Sequence, residues 1–375
     1  MNLEFSEDQK FVQHTAREFL AKNAGLDVCR KVLEDQDATH DAGLWKGVAE
    51  MGWLGAVVPE SLGGAGLGYL ELVLIAEEIG RALAPIPFSS SVALCSEALL
   101  RFGSDEQKKK WLPRLASGEV IGTFALAEGA GDADVASLAT RLAGGKLRGL
   151  KVPVFDGAAA GVAVVVAQGE REPVLALVDL TGPGVKRTPI ASFDPSRSLA
   201  RIEFGDAPAE TLGAGGAAQV EALLDRAAVV IGFEQLGGAT RAFEITREFA
   251  LSRYAFGRPI ASFQALKHRF ADLYAKIEIA RSNGYYAAWA LSSDNDELPL
   301  AACSFRAAAS DAFEHAAQEM IQIHGGVGFT WEYDCHLFYR RARWLAASIG
   351  GADVWRDKLI DRLVARQSTG VDLAE

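Results

Sequence analysis

Hydrophobic positions change their spacing twice along this chain. Before about residue 120, and again after Gln219, apolar side chains recur every three or four positions, as at Leu70, Val73 and Leu74. That period is typical of helices that bury one face. Between residues 121 and 212 the apolar runs become short and partly alternating, which indicates strands. The pattern therefore predicts the order helical, β, helical.

Glycine and proline mark the limits of the middle region. Gly182-Pro183-Gly184 and Asp194-Pro195 separate its strands, and Gly213 to Gly216 form a predicted hinge. Short runs divided by such turns indicate a small antiparallel β-domain. The alanine-rich helices that follow are typical of an antiparallel bundle. We therefore predict an N-terminal helical domain at 1–120, a β-domain at 121–212 and a C-terminal helical bundle at 213–375.

Composition narrows the class of function. A chain of 375 residues is long enough for two or three domains. The formal net charge of −11 argues against nucleic-acid binding, which needs a basic face, but an anionic small molecule needs only a local basic patch. No uncharged stretch approaches the ~20 residues of a membrane span. Met1–Lys10 lacks the basic-then-apolar order of a signal peptide, so we expect neither a membrane segment nor a leader.

The cysteines and histidines give no disulfide or metal signature. The cysteines are far apart and form no C-x-x-C pair, and the histidines form no H-E-x-x-H pattern. Disulfide frameworks and zinc sites need such spacings. We therefore predict no metal site and a reducing, cytoplasmic location. The cysteines are Cys29, Cys95, Cys303 and Cys335.

Three short segments give the most specific signal. The first, residues 253–264 with the sequence RYAFGRPIASFQ, lies at a predicted helix break, and the second is QIHGGVGF at 322–329. The third combines Val58-Pro59-Glu60 with Gly63-Gly64 and the later acids Glu77-Glu78. Each segment is short, but in this order and at this spacing they resemble the acyl-CoA dehydrogenase family across nearly the whole chain.

The resemblance implies a fold, a cofactor and a reaction. The implied fold is an α+β multidomain chain with an N-terminal helical domain, a central antiparallel β-domain and a C-terminal four-helix bundle. The implied cofactor is FAD, and the substrate is an acyl-CoA thioester. In the implied α,β-dehydrogenation, a carboxylate removes the α-proton while the β-hydride passes to the flavin.

The resemblance also implies cofactor contacts, which in this family reach the diphosphate and adenosine of a neighbouring subunit's FAD. Arg253 would supply a guanidinium for a phosphate oxygen. Gly325 and Gly326 would let backbone N–H groups approach the cofactor. The alternative is that the arginine pairs with a carboxylate and the glycines only close a turn. The predicted cofactor-binding set is Arg253, Phe256, Gln264, Gln322, Gly325 and Gly326.

The chain departs from the family pattern where the flavin ring is held. The family's β-domain begins with a threonine–glutamate–proline segment whose threonine hydroxyl meets the ring, and the matching position here is Ala127. A serine near the diphosphate corresponds to Ala133. A Trp-x-Thr that lies against the flavin corresponds to Pro153-Val154-Phe155. Hydroxyl groups that would hydrogen-bond the ring are therefore missing.

The positions of the family's catalytic base hold no carboxylate. The family places its glutamate either in the region that is here Ser348-Ile349-Gly350-Gly351, or 26 residues before Arg253, which is here Ala227 with Ala228 beside it. The remaining candidate is Glu234, seven residues after Ala227. Because an acid in an apolar, glycine-rich helix is costly to bury unpaired, we predict a structural hydrogen-bonding role for Glu234. A catalytic-base role is the alternative.

These losses predict a division of labour between two chains. The groups that face a neighbour's FAD persist, whereas those that hold the ring within the chain are replaced. We therefore predict a hetero-oligomer in which this chain completes the cofactor site of a paralogous acyl-CoA dehydrogenase subunit, and that partner brings the base. Heterotetrameric family members that act on steroid side-chain CoA thioesters resemble this arrangement.

Two other functions stay open at this point. One is a self-sufficient homo-oligomeric acyl-CoA dehydrogenase with Glu234 as base, and the other is a non-redox binding or assembly protein on the same fold. An electron-transfer flavoprotein is among the partners that the resemblance allows. His324 and the pair Arg340-Arg341 are not predicted to be catalytic, because a histidine in a packed turn and arginines late in a helix usually have structural roles.

Overall fold

Helices occupy both ends of the chain and strands its middle in the computed structural model, which describes residues 5–131 and 133–368. The predicted order helical, β, helical is therefore confirmed. Two helices of the first part begin with capping boxes, at Ser6 and Ser104, that satisfy N–H groups of the first turn. The elements of this part are α1 (Glu7–Asn23), α2 (Leu26–Glu34), α3 (Ala42–Glu50), α4 (Tyr69–Arg81), a π-helical segment (Ser89–Ser96), α5 (Glu97–Phe102) and α6 (Asp105–Ala116).

Strands form the middle part, and longer helices form the last. The strands are β1 (Gly122–Ala125), β2 (Arg141–Ala143), β3 (Lys146–Phe155), β4 (Val162–Gln168), β5 (Pro173–Asp179), β6 (Val185–Ile190) and β7 (Leu199–Leu212). The last part contains α7 (Ala217–Ser252), the hairpin strands β8 (Tyr254–Ala255) and β9 (Arg258–Pro259), α8 (Gln264–Ser292), α9 (Leu298–His324), α10 (Cys335–Ala347) and α11 (Ala352–Ser368).

The chain divides into two compact units. The helical unit comprises the described residues of Met1–Leu26, Val73–Ala84 and Ala228–Glu375. The sheet unit comprises those of Asp27–Leu72 and Pro85–Ala227. The three-domain division with boundaries near residues 120 and 212 stays a prediction.

The sheet unit is organised around seven strands, five of which pair in a closed ring while β1 and β6 each pair with one strand of that ring. The order is β1-β4-β2-β3-β7-β5, β5 also pairs with β4, and β6 pairs with β7. Antiparallel pairs dominate, as predicted, but β1 and β2 each run parallel to β4. Strand β4 is almost entirely buried because its side chains are nearly all valine and alanine, which suits a strand covered on both faces.

The helical unit is packed around α9, which has buried side chains in every turn from Leu298 to His324. This helix contacts α8, α10 and α11. Aromatic side chains connect it to α7, where the rings of Phe233 and Phe305 meet edge to face at 5.1 Å. Helix α7 also meets α8 through the rings of Phe243 and Phe270, which are 5.8 Å apart. Edge-to-face contacts of this kind fix how neighbouring helices sit against each other.

Helices α4 and α7 touch backbone to backbone in the helical unit. A Cβ atom on Gly80 would lie 1.8 Å from the carbonyl oxygen of Glu234, and one on Gly237 would lie 1.8 Å from that of Glu77. Only glycine permits such an approach, because any Cβ would overlap the oxygen. This contact accounts for Gly80 in α4 and Gly237 in α7.

Replacing Gly237 with alanine is expected to destabilise the protein by at least about 2 kcal/mol, because the two helices would have to separate. The matched control is Gly351→Ala, where an added Cβ meets no described atom within 4 Å and a change below about 0.5 kcal/mol is expected. Urea titration gives the free energy of unfolding of both variants. Equal values for the two would contradict the helix contact.

Two kinds of feature are missing from the described part of the chain. No described helix is long and apolar enough to cross a lipid bilayer. Within residues 5–131 and 133–368, no three histidine, cysteine or acidic side chains lie together as metal ligands would. The four cysteines are buried, and none of them forms a disulfide.

Candidate functional site

A two-stranded hairpin follows the end of α7 and presents an aromatic ring. Strands β8 and β9 are joined by Phe256 and Gly257, which both have a positive φ, +54° and +77°. The hairpin closes with a hydrogen bond from the N–H of Ile260 to the carbonyl of Arg253 at 2.8 Å. Phe256 is 95% exposed. A bulky residue held in the left-handed region costs about 1–3 kcal/mol, and such strain is found mainly at functional sites.

The end of α9 is open on its outer side. Gly325 has φ +64° and ψ −138°, a conformation that is essentially restricted to glycine. A Cβ atom on either Gly325 or Gly326 would meet no described atom within 4 Å. Gln322, in the last turn of α9, is also exposed. The N–H of Gly325 donates to the carbonyl of Gln322 within the turn, but the outer side of both glycines is open to an approaching molecule.

Contacts within the helical unit bring the hairpin and this turn to the same end of the bundle. The ring of Phe249 stacks on that of His324 with centroids 4.0 Å apart, and the N–H of Arg253 donates to the carbonyl of Phe249 at 2.8 Å. Near the start of α8, Arg269 forms a two-point ion pair with Glu319 of α9 at 2.6 and 2.7 Å.

Six residues that the sequence analysis singled out are exposed together at this end, which we call the bundle-end surface. They are Arg253, Phe256, Gln264, Gln322, Gly325 and Gly326.

Arg253 leaves its guanidinium available. Among the described residues, no hydrogen bond or ion pair of its side chain is found, so the carboxylate-pair alternative has no partner within the described chain. The nearby Arg258 differs, because its guanidinium lies over the ring of Phe263 at 4.1 Å. An exposed guanidinium without an internal partner is suited to bidentate binding of a phosphate.

Exposed aromatic rings flank the bundle-end surface. Tyr254 is 64% exposed and Phe329 82%, and Trp331 is exposed as well. Exposed aromatic rings beside an accessible arginine are typical of a surface that binds another molecule. Tyr254 and Trp331 are not among the site residues predicted from the sequence. Their position directly beside the two glycine-containing turns is the signal that could have identified them.

The sheet unit holds the positions that the family uses for the flavin ring. Ala127 contributes its carbonyl to a hydrogen bond from the N–H of Val152 at 2.9 Å, but its methyl group offers no hydrogen bond. Phe155, at the end of β3, is half-buried and equally unable to donate. Ala133 lies in the loop after β1. The structure therefore provides no side-chain hydroxyl at these three positions.

The carboxylate next to Ala127, that of Glu128, is already hydrogen-bonded within the sheet unit. Glu128 accepts hydrogen bonds from Nζ of Lys151 at 2.8 Å and from the N–H groups of Ala139 and Thr140. Burial opposes its ionisation, but these bonds outweigh burial and hold the pKa of Glu128 at about 2. Burial dominates for the amine and lowers the pKa of Lys151 to about 8, although Glu128 opposes this. The pair is a structural ion pair.

The polar groups next to Phe155 are also paired internally. Asp156 is buried and accepts two hydrogen bonds from Arg197, at 3.0 and 2.6 Å, and one from the hydroxyl of Ser90 at 2.5 Å. Both charged partners are fully enclosed. A buried pair of this kind is expensive to disturb. Neither side chain is therefore available to a flavin ring.

Glu234 lies in the interior of the helical unit. Its side chain is 1% exposed, and its negative charge acts on the buried guanidinium of Arg306. Burial lowers the pKa of Arg306, and Glu234 opposes this shift. Arg306 also donates to Gln235 and to the carbonyls of Leu345 and Ala346 at the end of α10.

Glu234 is therefore distant from the bundle-end surface. By the helix rise, the stretch between Glu234 and Arg253 corresponds to about 28 Å. The structure does not bring the predicted catalytic candidate together with the predicted cofactor-binding residues. Its burial beside an arginine favours the structural role over the catalytic one. At the other family position of the base, Ala227 and Ala228 are fully buried.

Two regions of the chain match models of known protein domains. Residues 6–119 match the model of the acyl-CoA dehydrogenase N-terminal domain, and residues 214–364 match that of the acyl-CoA dehydrogenase C-terminal domain. The chain is 34% identical over 337 residues to "Acyl-CoA dehydrogenase IpdE2" of Mycobacterium tuberculosis, covering 90% of this chain and 91% of that protein.

Two solved structures have the same fold along almost their whole length. A variant of the "Tcur3481-Tcur3483 steroid ACAD" superposes with a TM-score of 0.89 at 30% identity, covering 97% of this chain and 99% of that one. The "ChsE4-ChsE5 complex from Mycobacterium tuberculosis" superposes with a TM-score of 0.87 at 28% identity, covering 99% and 100%.

Proposed function

This chain belongs to the acyl-CoA dehydrogenase family, whose members use FAD, and we propose that it acts there as the subunit that completes a partner's cofactor site. The reaction is the α,β-dehydrogenation of an acyl-CoA thioester. The partner is a paralogous subunit of the same family, and it supplies the catalytic base.

One observation supports this proposal above all others, and it is an asymmetry between two sets of residues. The outward-facing set, exemplified by Arg253 and Phe256, is intact and exposed at one end of the helical unit. The set that would hold the flavin within the chain has become Ala127 and Phe155 beside the ring and Ala133 near the diphosphate. An enzyme that decays without selection should lose both sets alike. The retained set therefore indicates a function towards a second chain.

The bundle-end surface suits the diphosphate and adenosine end of FAD. Arg253 offers an exposed guanidinium for a phosphate oxygen, and the exposed Gly325 and Gly326 carry no side chain that would keep the cofactor from the backbone of the turn. The amides of Gln264 and Gln322 add donors and acceptors, while Phe256 packs beside the nucleotide. Bound FAD supplies the acceptor for the β-hydride. This chain's residues bind and orient the nucleotide end and shield it from water.

The absence of a carboxylate at the family's two base positions supports a partner that brings the base. Ala227 is a buried methyl group, and residues 348–351 carry a serine, an isoleucine and two glycines. Removal of the α-proton needs a positioned carboxylate within hydrogen-bond reach. Glu234 is enclosed in the helical unit and keeps its structural role in this proposal.

The similarity of this chain to two solved structures supports our proposal for the partner and the substrate. One similar structure is named a steroid acyl-CoA dehydrogenase of two named chains, and another is a complex of two named chains. From these two structures we infer that the partner of this chain is a paralogous subunit and that the substrate is a steroid side-chain CoA thioester. An electron-transfer flavoprotein as electron acceptor and a cytoplasmic location complete the proposal. The location is supported by four cysteines that form no disulfide.

Flavin content tests the proposal. The chain is purified alone and after co-expression with its paralogue, and the absorbance spectrum gives the amount of FAD for each chain. The lone chain is expected to hold well under one FAD, whereas the complex is expected to hold flavin that acyl-CoA bleaches. A lone chain that is fully yellow and oxidises acyl-CoA would establish a self-sufficient enzyme instead. A complex without flavin and without bleaching would point to a non-redox assembly protein.

Glu234→Gln separates the two roles of this acid. In the complex, turnover is expected to stay within about twofold of the wild type, because the base is not on this chain, whereas loss of a true base lowers turnover by about 10²–10⁴-fold. The free energy of unfolding is expected to fall by about 1–3 kcal/mol, because Arg306 loses its charged neighbour. Glu248→Gln, an exposed position on the same helix, is the matched control. Turnover that disappears while flavin stays bound would make Glu234 the base.

A further inference from the structure

Three aromatic side chains form a cluster beneath the bundle-end surface. The rings of Phe249 and His324 are stacked, with centroids 4.0 Å apart and planes inclined by 23°. The ring of Tyr333 meets both at steep angles, at 6.5 Å from Phe249 and 6.1 Å from His324. Each ring comes from a different part of the chain: the end of α7, the end of α9 and the turn before α10.

The imidazole of His324 is held in one orientation. Its Nδ1 atom lies 2.6 Å from the carbonyl oxygen of Met320. Because a carbonyl only accepts hydrogen bonds, Nδ1 carries the proton and donates, which leaves Nε2 unprotonated in the neutral ring. The residue is 7% exposed. A stacked and hydrogen-bonded ring at this depth has little freedom to rotate.

This cluster joins the separate parts of the bundle-end surface. On one side, Phe249 accepts the backbone hydrogen bond from the N–H of Arg253 at 2.8 Å, at the base of the hairpin. On the other side, His324 directly precedes Gly325. The turn folds back over the histidine, since a Cβ on Gly328 would lie 3.0 Å from the Cβ of His324. The distance between the arginine and the glycine turn is therefore set through the histidine ring.

We propose that His324 is a positioning residue that fixes the Gly325–Gly326 turn relative to Arg253, so that both reach the same cofactor. This inference rests on the proposed function of the bundle-end surface. His324 is buried beneath that surface and acts through its neighbours.

Protonation of His324 should disturb this arrangement. Burial lowers the pKa of His324, and the Met320 carbonyl that accepts its hydrogen bond acts in the opposite direction. Among the described residues, its ring contacts are Phe249 and Tyr333, and no charged side chain contributes to the shift. A pKa depressed by folding means that the neutral form stabilises the native arrangement. That stabilisation is complete above the unfolded value of about 6.5 and is lost as the pH falls towards the folded pKa.

The test compares His324→Ala, which removes the stacked ring, with His324→Phe, which keeps a ring but cannot titrate. FAD dissociation constants are measured for the co-expressed complex at neutral and mildly acidic pH. At neutral pH the alanine variant is expected to bind FAD about three- to tenfold more weakly, the range of one aromatic contact, and the phenylalanine variant less weakly than that. Wild-type affinity is expected to fall on acidification, whereas that of His324→Phe stays level. His14→Phe, at an exposed histidine of α1, is the control and should follow the wild type.

Hydrogen exchange on the isolated chain separates this inference from the proposed function. In the alanine variant, exchange is expected to quicken more at residues 322–328 and at the hairpin of Arg253 than in the rest of the described chain. Unchanged exchange at both segments, or a His324→Phe complex whose FAD affinity falls with acid as the wild type's does, would overturn the positioning role. If exchange responds but Arg253→Ala leaves FAD affinity intact, the cofactor role of the surface fails and the inference fails with it.

Discussion

Replacing Arg253 with alanine is expected to lower the FAD affinity of the co-expressed complex by about 10- to 100-fold. The guanidinium is exposed and without a partner among the described residues, so binding a phosphate needs no internal ion pair to break. A charge-assisted hydrogen bond contributes about 1.5–3 kcal/mol, and each 1.4 kcal/mol changes an equilibrium constant tenfold. Titration of the flavin-depleted complex with FAD, followed by flavin fluorescence, measures the loss.

Two further variants make this result specific. Arg247→Ala removes an exposed arginine from α7, the helix that ends just before Arg253, and is expected to leave FAD affinity unchanged. Arg253→Lys keeps the charge but loses the planar two-point geometry, so an intermediate affinity is expected. If Arg253→Ala binds FAD as tightly as the wild type does, the assignment of this arginine to a cofactor phosphate is wrong.

The isolated chain, supplied with excess FAD, is expected to oxidise acyl-CoA at about 10²–10⁴-fold below the rate of the complex. This is the range that a positioned base contributes, and neither family position of the base holds a carboxylate here. Steady-state assays with an artificial electron acceptor measure both samples under the same conditions. A lone chain that reaches the rate of the complex would show that a base lies within this polypeptide.

Much of the fold could be predicted because the spacing of apolar residues along the chain distinguishes helices from strands. The change from a helical period to short apolar runs locates the sheet, and the valine-rich run that forms β4 is buried as its composition implies. The parallel pairing of β1 with β4 was not predictable, because alternation along a strand carries no information about its neighbour. The contact between Gly237 and the carbonyl of Glu77 could not be predicted either, because Glu77 lies in a helix far away in the sequence.

The candidate site was predictable only in part, for the same reason. Motif spacing identified Arg253 and Gly325, and the structure places them at one end of the helical unit. Their cofactor role stays a prediction. The sequence indicated that Glu234 needs a partner, but Arg306 lies on another helix and could not be named from local pattern. The stacking of His324 on Phe249 depends on the same long-range packing.

A structure of the co-expressed complex with bound flavin tests the central claim most directly. We expect the FAD diphosphate to lie against Arg253 and the Gly325–Gly326 turn of this chain, with the isoalloxazine ring and the glutamate base on the partner. A complete flavin seated against Ala127 and Phe155, beside a glutamate of this same chain, would contradict the account.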